Sequence, residues 1–269
     1  MAYARELAQA LKAAQEAGAI QQSFQQRLPA IELKPDASPV TEVDRSCERV
    51  IRSMLLAEFP GDGFLGEETL PEKGTTKRQW IVDPLDGTRP YLRKIPTYSV
   101  LIALEEDGEP VVGVIHLPAM NITCWATKGD GAHLNGAPIH VSTVSSLKEA
   151  FGTGFGFRER ADEAEGRRLF TLMRSWDYAY GFMDGYSYVC IASGRLDIAV
   201  NLLDKPWDCA SAACIVREAG GTFSDIRGNP TVHGGSIILS NGLLHEAALG
   251  YFSDSGGAKG DYGAAGNVF

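Results

Sequence analysis

Trp80-Ile81-Val82-Asp83-Pro84-Leu85-Asp86-Gly87-Thr88 is the stretch around which the rest of the chain is organised. Three apolar residues of β character run into an acidic turn. Asp83 and Asp86 stand three apart across a proline, and a Gly-Thr pair closes the group. Proline has no N–H for a ladder bond and resists continuing a strand, so the strand is expected to stop near Asp83. Both carboxylates then sit on a rigidly held turn at a strand end, where chemistry tends to be placed. Two carboxylates forced together repel unless a cation lies between them. With no Cys or His beside them, these hard oxygen donors point to Mg²⁺ rather than Zn²⁺. Gly87 lets the backbone come close to a ligand, and the N–H groups of Gly87 and Thr88 could face a phosphate oxygen. In isolation, Asp next to Pro and Gly is equally a turn former. The company the stretch keeps decides between the two.

With 269 residues, the chain can bury a substantial core as one large domain or two intimately packed halves. Its net charge of −9 argues against a nucleic-acid-binding face, and a bound divalent cation would help such a protein admit an anionic substrate. The cysteines (Cys47, Cys124, Cys190, Cys209 and Cys214) are scattered and never in C-x-x-C spacing. A disulfide framework or zinc cluster is therefore not expected; small buried apolar residues in a reducing cytoplasm are. No apolar run reaches the roughly 18 residues of a membrane span, and Arg5, Glu6 and Lys12 interrupt any signal-peptide core.

Leu7, Ala10, Leu11 and Ala14 follow helical spacing, so the first segment reads as an amphipathic helix to about Gln26, with Gly18 a weak point inside it. A polar, proline-interrupted loop follows, Lys34-Pro35-Asp36-Ala37-Ser38-Pro39-Val40-Thr41. Thr41 is placed to cap a second helix whose apolar positions are Val43, Val50, Met54 and Leu55. Asp44, near its start, would favour the positive helix end. Phe64-Leu65 ends in Gly66-Glu67-Glu68, about fifteen residues before the acidic turn, the distance of a crossover or hairpin excursion. From Tyr98 to Val141 the pattern is a meander with hairpin signals at Asp107-Gly108 and Asn135-Gly136. Residues 1–146 thus read as helices on an antiparallel sheet.

Residues 147–252 alternate α and β and suggest an α/β layer. Helices are expected at Asp162–Trp176, Tyr186–Ser193, Trp207–Glu218 and Leu243–Phe252, with strands at Asp197–Val200, Thr222-Phe223 and Ile237–Leu239. Gly152-Thr153-Gly154-Phe155-Gly156 lacks the G-x-G-x-x-G spacing and is not taken as a dinucleotide loop. The five histidines form no H-x-x-x-H pair, which weakens a zinc-hydrolase reading. The tail, residues 253–269, is rich in Gly, Ala and Ser and is expected to be ordered only by docking, if at all.

Taken in order, Asp44, Gly66-Glu67-Glu68, Asp83-Pro84-Leu85-Asp86-Gly87-Thr88, Trp207-Asp208-Cys209-Ala210 and Glu218-Ala219-Gly220-Gly221 resemble the inositol monophosphatase family. This family belongs to the Mg²⁺-dependent, lithium-sensitive phosphatases, and the likeness runs from the first helix to about residue 250. The resemblance implies a layered αβαβα sandwich, usually a homodimer, acting on a small phosphorylated metabolite. It implies two or three Mg²⁺ ions, replaceable by Mn²⁺, on Glu67, Asp83, Asp86, Asp208 and the Leu85 carbonyl. Asp44 would pair with Thr88, Glu68 would stand behind the ligands, and Lys34 would lie on the loop before Asp44. Catalysis would rest on Glu67, Asp44 and Thr88, with Asp86, Gly87, Thr88, Asp184, Asn201 and Asp208 facing the substrate.

The chemistry agrees with that set. Two cations could clamp the attacking and leaving oxygens of an in-line displacement, while Glu67 and an Asp44–Thr88 pair orient the water and take its proton. As for the ester, the family position before W-D that often carries an inositol-binding Glu is Asn201 here. The runs Lys34–Thr41, Asp184–Tyr188 and Gly234–His245 look closer to the histidinol-phosphate phosphatase branch, in which Asp184 would face the substrate's amino end. An Arg usual in that branch is replaced by Tyr180. Inositol phosphate, and then a 3′-phosphonucleotide or sugar phosphate, are the alternatives within the family. A haloacid-dehalogenase-type phosphatase would need D-x-D where this chain has D-x-x-D, and a non-enzymatic interaction protein on the same fold is the alternative outside enzymes.

Overall fold

A computed structural model describes residues 2–25, 32–33, 39–181 and 184–253. Lys34 and the tail from residue 254 onward lie outside the described residues, as does the expected end of the first helix at Gln26.

The first layer is a helix pair, α1 (Ala4–Phe24) and α2 (Glu42–Glu58), with a small antiparallel ribbon between them in sequence, β1 (Glu32–Leu33) and β2 (Pro39–Val40). α1 buries Leu7, Ala10, Ala14, Ala17, Gly18 and Gln21, a stripe of mostly small residues at helical spacing. Gly18 weakens the helix locally for a reason outside it: a Cβ there would sit 2.7 Å from the His116 ring. Thr41 caps α2 as expected, its hydroxyl accepting the Val43 N–H at 3.1 Å. The buried face of α2 differs from the expected one. Val43 and Leu55 are buried, but Val50 and Met54 are only half-buried, and Asp44, Cys47, Glu48 and Ile51 complete the stripe. Asp44 and Glu48 escape an apolar pattern because they are polar residues at core spacing.

Next come β3 (Gly63–Gly66), β4 (Arg78–Asp86), the short α3 (Thr88–Leu92), β5 (Ser99–Glu106), β6 (Glu109–Leu117), β7 (Ile122–Thr127), β8 (Ala132–Leu134) and β9 (Ala137–Ile139). Among the described residues the strands form a seven-stranded sheet in sequence order. All pairings are antiparallel except β3 with β4, which run parallel, Gly63 opposite Gln79 and Gly66 opposite Val82. The strand does not stop at Asp83: β4 continues to Asp86. From Asp83 to Asp86 it advances three residues while β5 advances two, from Leu101 to Ser99. Pro84 is accommodated in this bulge, where a missing N–H costs no ladder bond.

The second half begins with β10 (Phe151–Phe155), α4 (Ala164–Met173) and β11 (Tyr178–Ala179). α5 (Asp184–Ala192), β12 (Ile198–Asn201), α6 (Pro206–Glu218), β13 (Thr222–Ser224), β14 (Ile237–Ser240) and α7 (His245–Leu249) follow. The glycine-rich run set aside as a nucleotide loop is the strand β10. Gly152 lies against Trp176 and Gly154 against Met173, where a Cβ would come within 2.7 Å of either side chain. α4 and α7 are shorter than the sequence pattern indicated. The mixed five-stranded sheet has the order β11-β10-β12-β14-β13.

Three apolar clusters order these pieces into five layers. Val82, Val100, Ile102, Leu104, Val112 and Val114 face α1 and α2. Ile81, Leu101, Ala103 and Ile115, on the opposite face, meet α5 and α6, which also cover Ala199, Ile237 and Leu239 of the second sheet. Ile198, Val200 and Ile238 turn away toward α4 and α7. The result is the αβαβα sandwich, with α6 buried along most of its length because Cys209, Ala210, Ser211, Ala212, Ala213 and Cys214 are small enough to fit between two sheets. No helix among the described residues is long and apolar enough to cross a membrane.

α6 approaches β6 closely at Gly113, where a Cβ would lie 2.4 Å from the Ser211 carbonyl oxygen. Gly113→Ala is expected to destabilise the protein by about 2 kcal/mol through overpacking, read as a lower urea midpoint. An unchanged midpoint would mean that these layers can slide apart at no cost.

Candidate active site

The bulge in β4 is held from several sides. The Asp83 carboxylate folds back over the proline, its Oδ1 accepting the Leu85 N–H at 2.9 Å. Gln21, fully buried in α1, donates from Nε2 to the Pro84 carbonyl at 2.8 Å. Thr88 Oγ1 lies 3.2 Å from the Leu85 carbonyl and 3.3 Å from Asp44 Oδ1. A hydroxyl has one proton, so it donates to one or the other. The Asp44 Oδ2 accepts from the Thr41 N–H at 2.8 Å and the Thr41 hydroxyl at 2.6 Å. The Asp44–Thr88 pairing and the helix cap therefore coexist on one side chain.

Asp86 reaches across the layers. Its Oδ2 accepts the Ser99 hydroxyl at 2.6 Å and the Gly185 N–H at 2.7 Å, fixing the start of α5 against the end of β4. Gly87 adopts φ +78°, and a Cβ there would come to 3.0 Å from Asp184 Oδ2. Asp184 has φ +63°, and its Oδ2 is buried with no hydrogen-bond partner among the described residues. Asp208 is the third residue of α6 rather than its cap, and its Oδ2 accepts the Lys205 N–H at 2.8 Å. Glu67 follows β3, its N–H donating to the Val82 carbonyl at 3.2 Å.

Burial and mutual repulsion both act on these acids. Asp83 is driven well above the usual carboxylate range by burial and then by Glu67, Asp86 and Asp208. Burial raises Asp86 to about 6 against the pull of its Ser99 and Gly185 donors. Asp208 is raised well above its ordinary value by burial, then by Asp204, Glu67 and Asp86. Asp184 is raised by burial and by Asp86, and Asp44 by burial despite its Thr41 bonds. Acids from residues 44, 67, 83, 86 and 208 thus share one neighbourhood. Among the described residues, no three His, Cys, Asp or Glu side chains stand in ready-made coordination geometry. The donor set, all carboxylates and carbonyls, fits a hard divalent cation.

Asp86, Asp184, Asn201 and Asp208 line one open cleft of about 600 Å³. Asn201 is already engaged: its Nδ2 donates to Asp204 Oδ1 at 2.7 Å and its Oδ1 accepts the Leu203 N–H at 3.0 Å. The Glu68 N–H donates to Glu48 Oε2 at 2.9 Å. Sequence reasoning passed over Glu48, whose signal was a carboxylate one helical turn after Asp44 on the buried face of α2. It also explains Gly66, where a Cβ would lie 2.3 Å from Glu48 Oε2. Asp204 was passed over as well; burial pushes it up to about 8 beside Asp208. Glu218 is structural, its Oε2 accepting the Gly129 and Gly131 N–H groups.

The model of the inositol monophosphatase family matches residues 3–256. The chain is similar to the histidinol-phosphatase of Mycobacterium tuberculosis, 40% identical over 224 residues that cover 81% of this chain and 86% of that protein. It is similar to the histidinol-phosphatase of Chlorobaculum parvum, 37% identical over 86% of this chain and 90% of that protein. Its fold matches that of the extragenic suppressor protein suhB from Bartonella henselae with a TM-score of 0.87, at 28% identity, covering 93% of this chain and 99% of that one.

A carboxyl raised on folding makes the folded state hold more protons than the unfolded chain, so stability falls as pH climbs from the ordinary carboxyl range through the folded value. Those values are about 6 for Asp86 and about 8 for Asp204. With divalent ions chelated, Tm should drop by several degrees between about pH 5 and about pH 8, and Mg²⁺ should raise it more at the higher pH. A chelated protein that gains stability over this range would contradict the crowding of acids described above.

Proposed function

The chain belongs to the inositol monophosphatase family and is a phosphatase, and from that premise we propose that it hydrolyses histidinol phosphate with Mg²⁺ as cofactor. The observation that carries the substrate is Asp184, a buried carboxylate with an unpartnered Oδ2 beside Gly87 in a cleft shared with Asp86 and Asp208. An unsatisfied carboxylate of this kind suits an ammonium group, which histidinol phosphate carries and inositol phosphate lacks. Asn201 speaks against inositol, because both ends of its amide are bonded within the protein.

Glu67, Asp83, Asp86 and Asp208, with the Leu85 carbonyl, would hold two or three Mg²⁺ ions, for which Mn²⁺ would substitute. When bound, such ions neutralise phosphoryl oxygens and make water more acidic. Asp83, Asp86 and Asp208 each commit one oxygen to protein donors, which fixes the carboxylate plane and directs the other oxygen. Thr88, donating to Asp44, would offer its lone pairs to the attacking water, and Glu67 would take that water's proton. The Gly87 and Thr88 amides would hold equatorial phosphoryl oxygens as charge spreads over them. Glu68 would steady Glu67 from behind, through the clamp of Glu48 on its amide. The five free, buried cysteines suit a reducing cytoplasm, and a homodimer is the assembly the family resemblance favours.

Histidinol phosphate should be turned over with a higher kcat/KM than inositol 1-phosphate or 3′-phosphoadenosine 5′-phosphate in a panel with Mg²⁺; equal rates on all three would overturn the substrate. Asp83→Asn should keep the fold, since an amide oxygen can still accept the Leu85 N–H. It should lose Mn²⁺ binding by calorimetry together with activity, and a wild-type rate would remove Asp83 from the metal site. Thr88→Ala should lower kcat by about a hundredfold with little change in KM. A pure rise in KM would assign Thr88 to binding instead.

A further inference from the structure

The glycine-rich run that proved to be a strand has a second property. At its end, Phe155 and Phe157 line the same cleft as Asp86, Asp184 and Asp208, and Leu203 joins them from the loop after β12. These are not stray surface residues. Phe155 stands opposite Asn201 in the β10–β12 pairing, and the Leu202 N–H donates to the Phe155 carbonyl at 3.2 Å, so the two segments are fixed side by side. Gly156, at φ +76°, lets them close: a Cβ there would sit 3.1 Å from Leu202 Cβ and 3.2 Å from Leu203 Cγ. The Asn201 turn, with its bond to the Leu203 N–H, holds Leu203 in place. Phe157 is 45% exposed and Leu203 39%, so an apolar shelf stands open in a cleft whose other lining is mostly polar and charged.

A cleft of about 600 Å³ is in the range that accepts a whole metabolite rather than a phosphoryl group alone. We propose that Phe155, Phe157 and Leu203 form a subsite for a planar, unsaturated ring on the non-phosphorylated part of the substrate, the imidazole in the case of histidinol phosphate. This deepens the function proposed above and rests on it for the identity of the ring. Flat rings bury well against phenyl and isobutyl groups, and aromatic pairs gain beyond the area they cover. Arg158 and Glu159 border the same cleft and keep polar groups at hand for the ring's nitrogen edge. Asn201 then serves the substrate indirectly, by fixing Leu203, rather than by touching a hydroxyl.

The test compares two pairs of esters that differ in the ring: histidinol phosphate with 2-aminoethyl phosphate, and 2-phenylethyl phosphate with ethyl phosphate. In Phe157→Ala the ratio of kcat/KM for the ringed over the ringless ester should fall about fivefold in both pairs, carried by KM. Phe157→Tyr should restore it. Phe157 is partly exposed, so truncation opens no core cavity, and an unchanged Tm checks this. An unaltered ratio in both pairs would overturn the ring subsite. If the ratio falls for the phenyl pair while wild-type enzyme shows no preference for histidinol phosphate, the subsite stands and the proposed substrate falls.

Discussion

The constraint that the rest of this structure answers to is the crowding of carboxylates at the end of β4. Burial alone raises the energy of each ionised acid, and the neighbours raise it further. The protein manages this by giving four of the acids a specific donor. Asp83 bonds the Leu85 amide, Asp86 bonds Ser99 and Gly185, Asp208 bonds Lys205, and Asp44 bonds Thr41. Every one of those bonds also does a structural task, closing a turn, capping a helix or joining two layers. The charge that makes the cleft useful is thus held by the same contacts that make the fold unique.

The surrounding architecture supplies the rigidity. α1 looks like a simple amphipathic helix, yet its buried Gln21 holds the Pro84 carbonyl and its backbone carbonyl accepts the Tyr91 hydroxyl. α6 lies between two sheets because its buried face is mostly Ala and Cys, and that position brings its first turn, with Asp208, to the acids of the first sheet. Small residues at helical spacing therefore decide how closely layers pack, and close packing decides where the acids arrive.

Much of this was legible in the sequence. Period-two and period-3.6 patterns placed the principal strands and helices, and the ordered set of acidic motifs pointed to the layered sandwich. What escaped the sequence had physical reasons. Pro84 reads as a strand stop, but a bulge absorbs it, and bulges leave no period. Glu48 escapes notice because its partner, the Glu68 amide, is twenty residues away. That Gly152 and Gly154 belong to a strand is hidden because the bulk they avoid, Trp176 and Met173, lies beyond the strand itself. The cleft joins residues more than a hundred positions apart, so its shape could be inferred only through a resemblance and not through local pattern.

One contact has a bearing on how the chain comes into being. The first sheet is drawn from a continuous stretch, Gly63 to Ile139, whereas one of its faces is covered by α5 and α6 from later in the chain. The amide that satisfies Asp86 belongs to Gly185, ninety-nine residues later, and Asp208 is later still. Until those residues have been made, the acids of β4 lack their distant donor and the second face of the sheet lacks its cover. A chain cut short before Gly185 would leave Asp86 without that donor and Ile81, Leu101 and Ile115 without α5 and α6 over them.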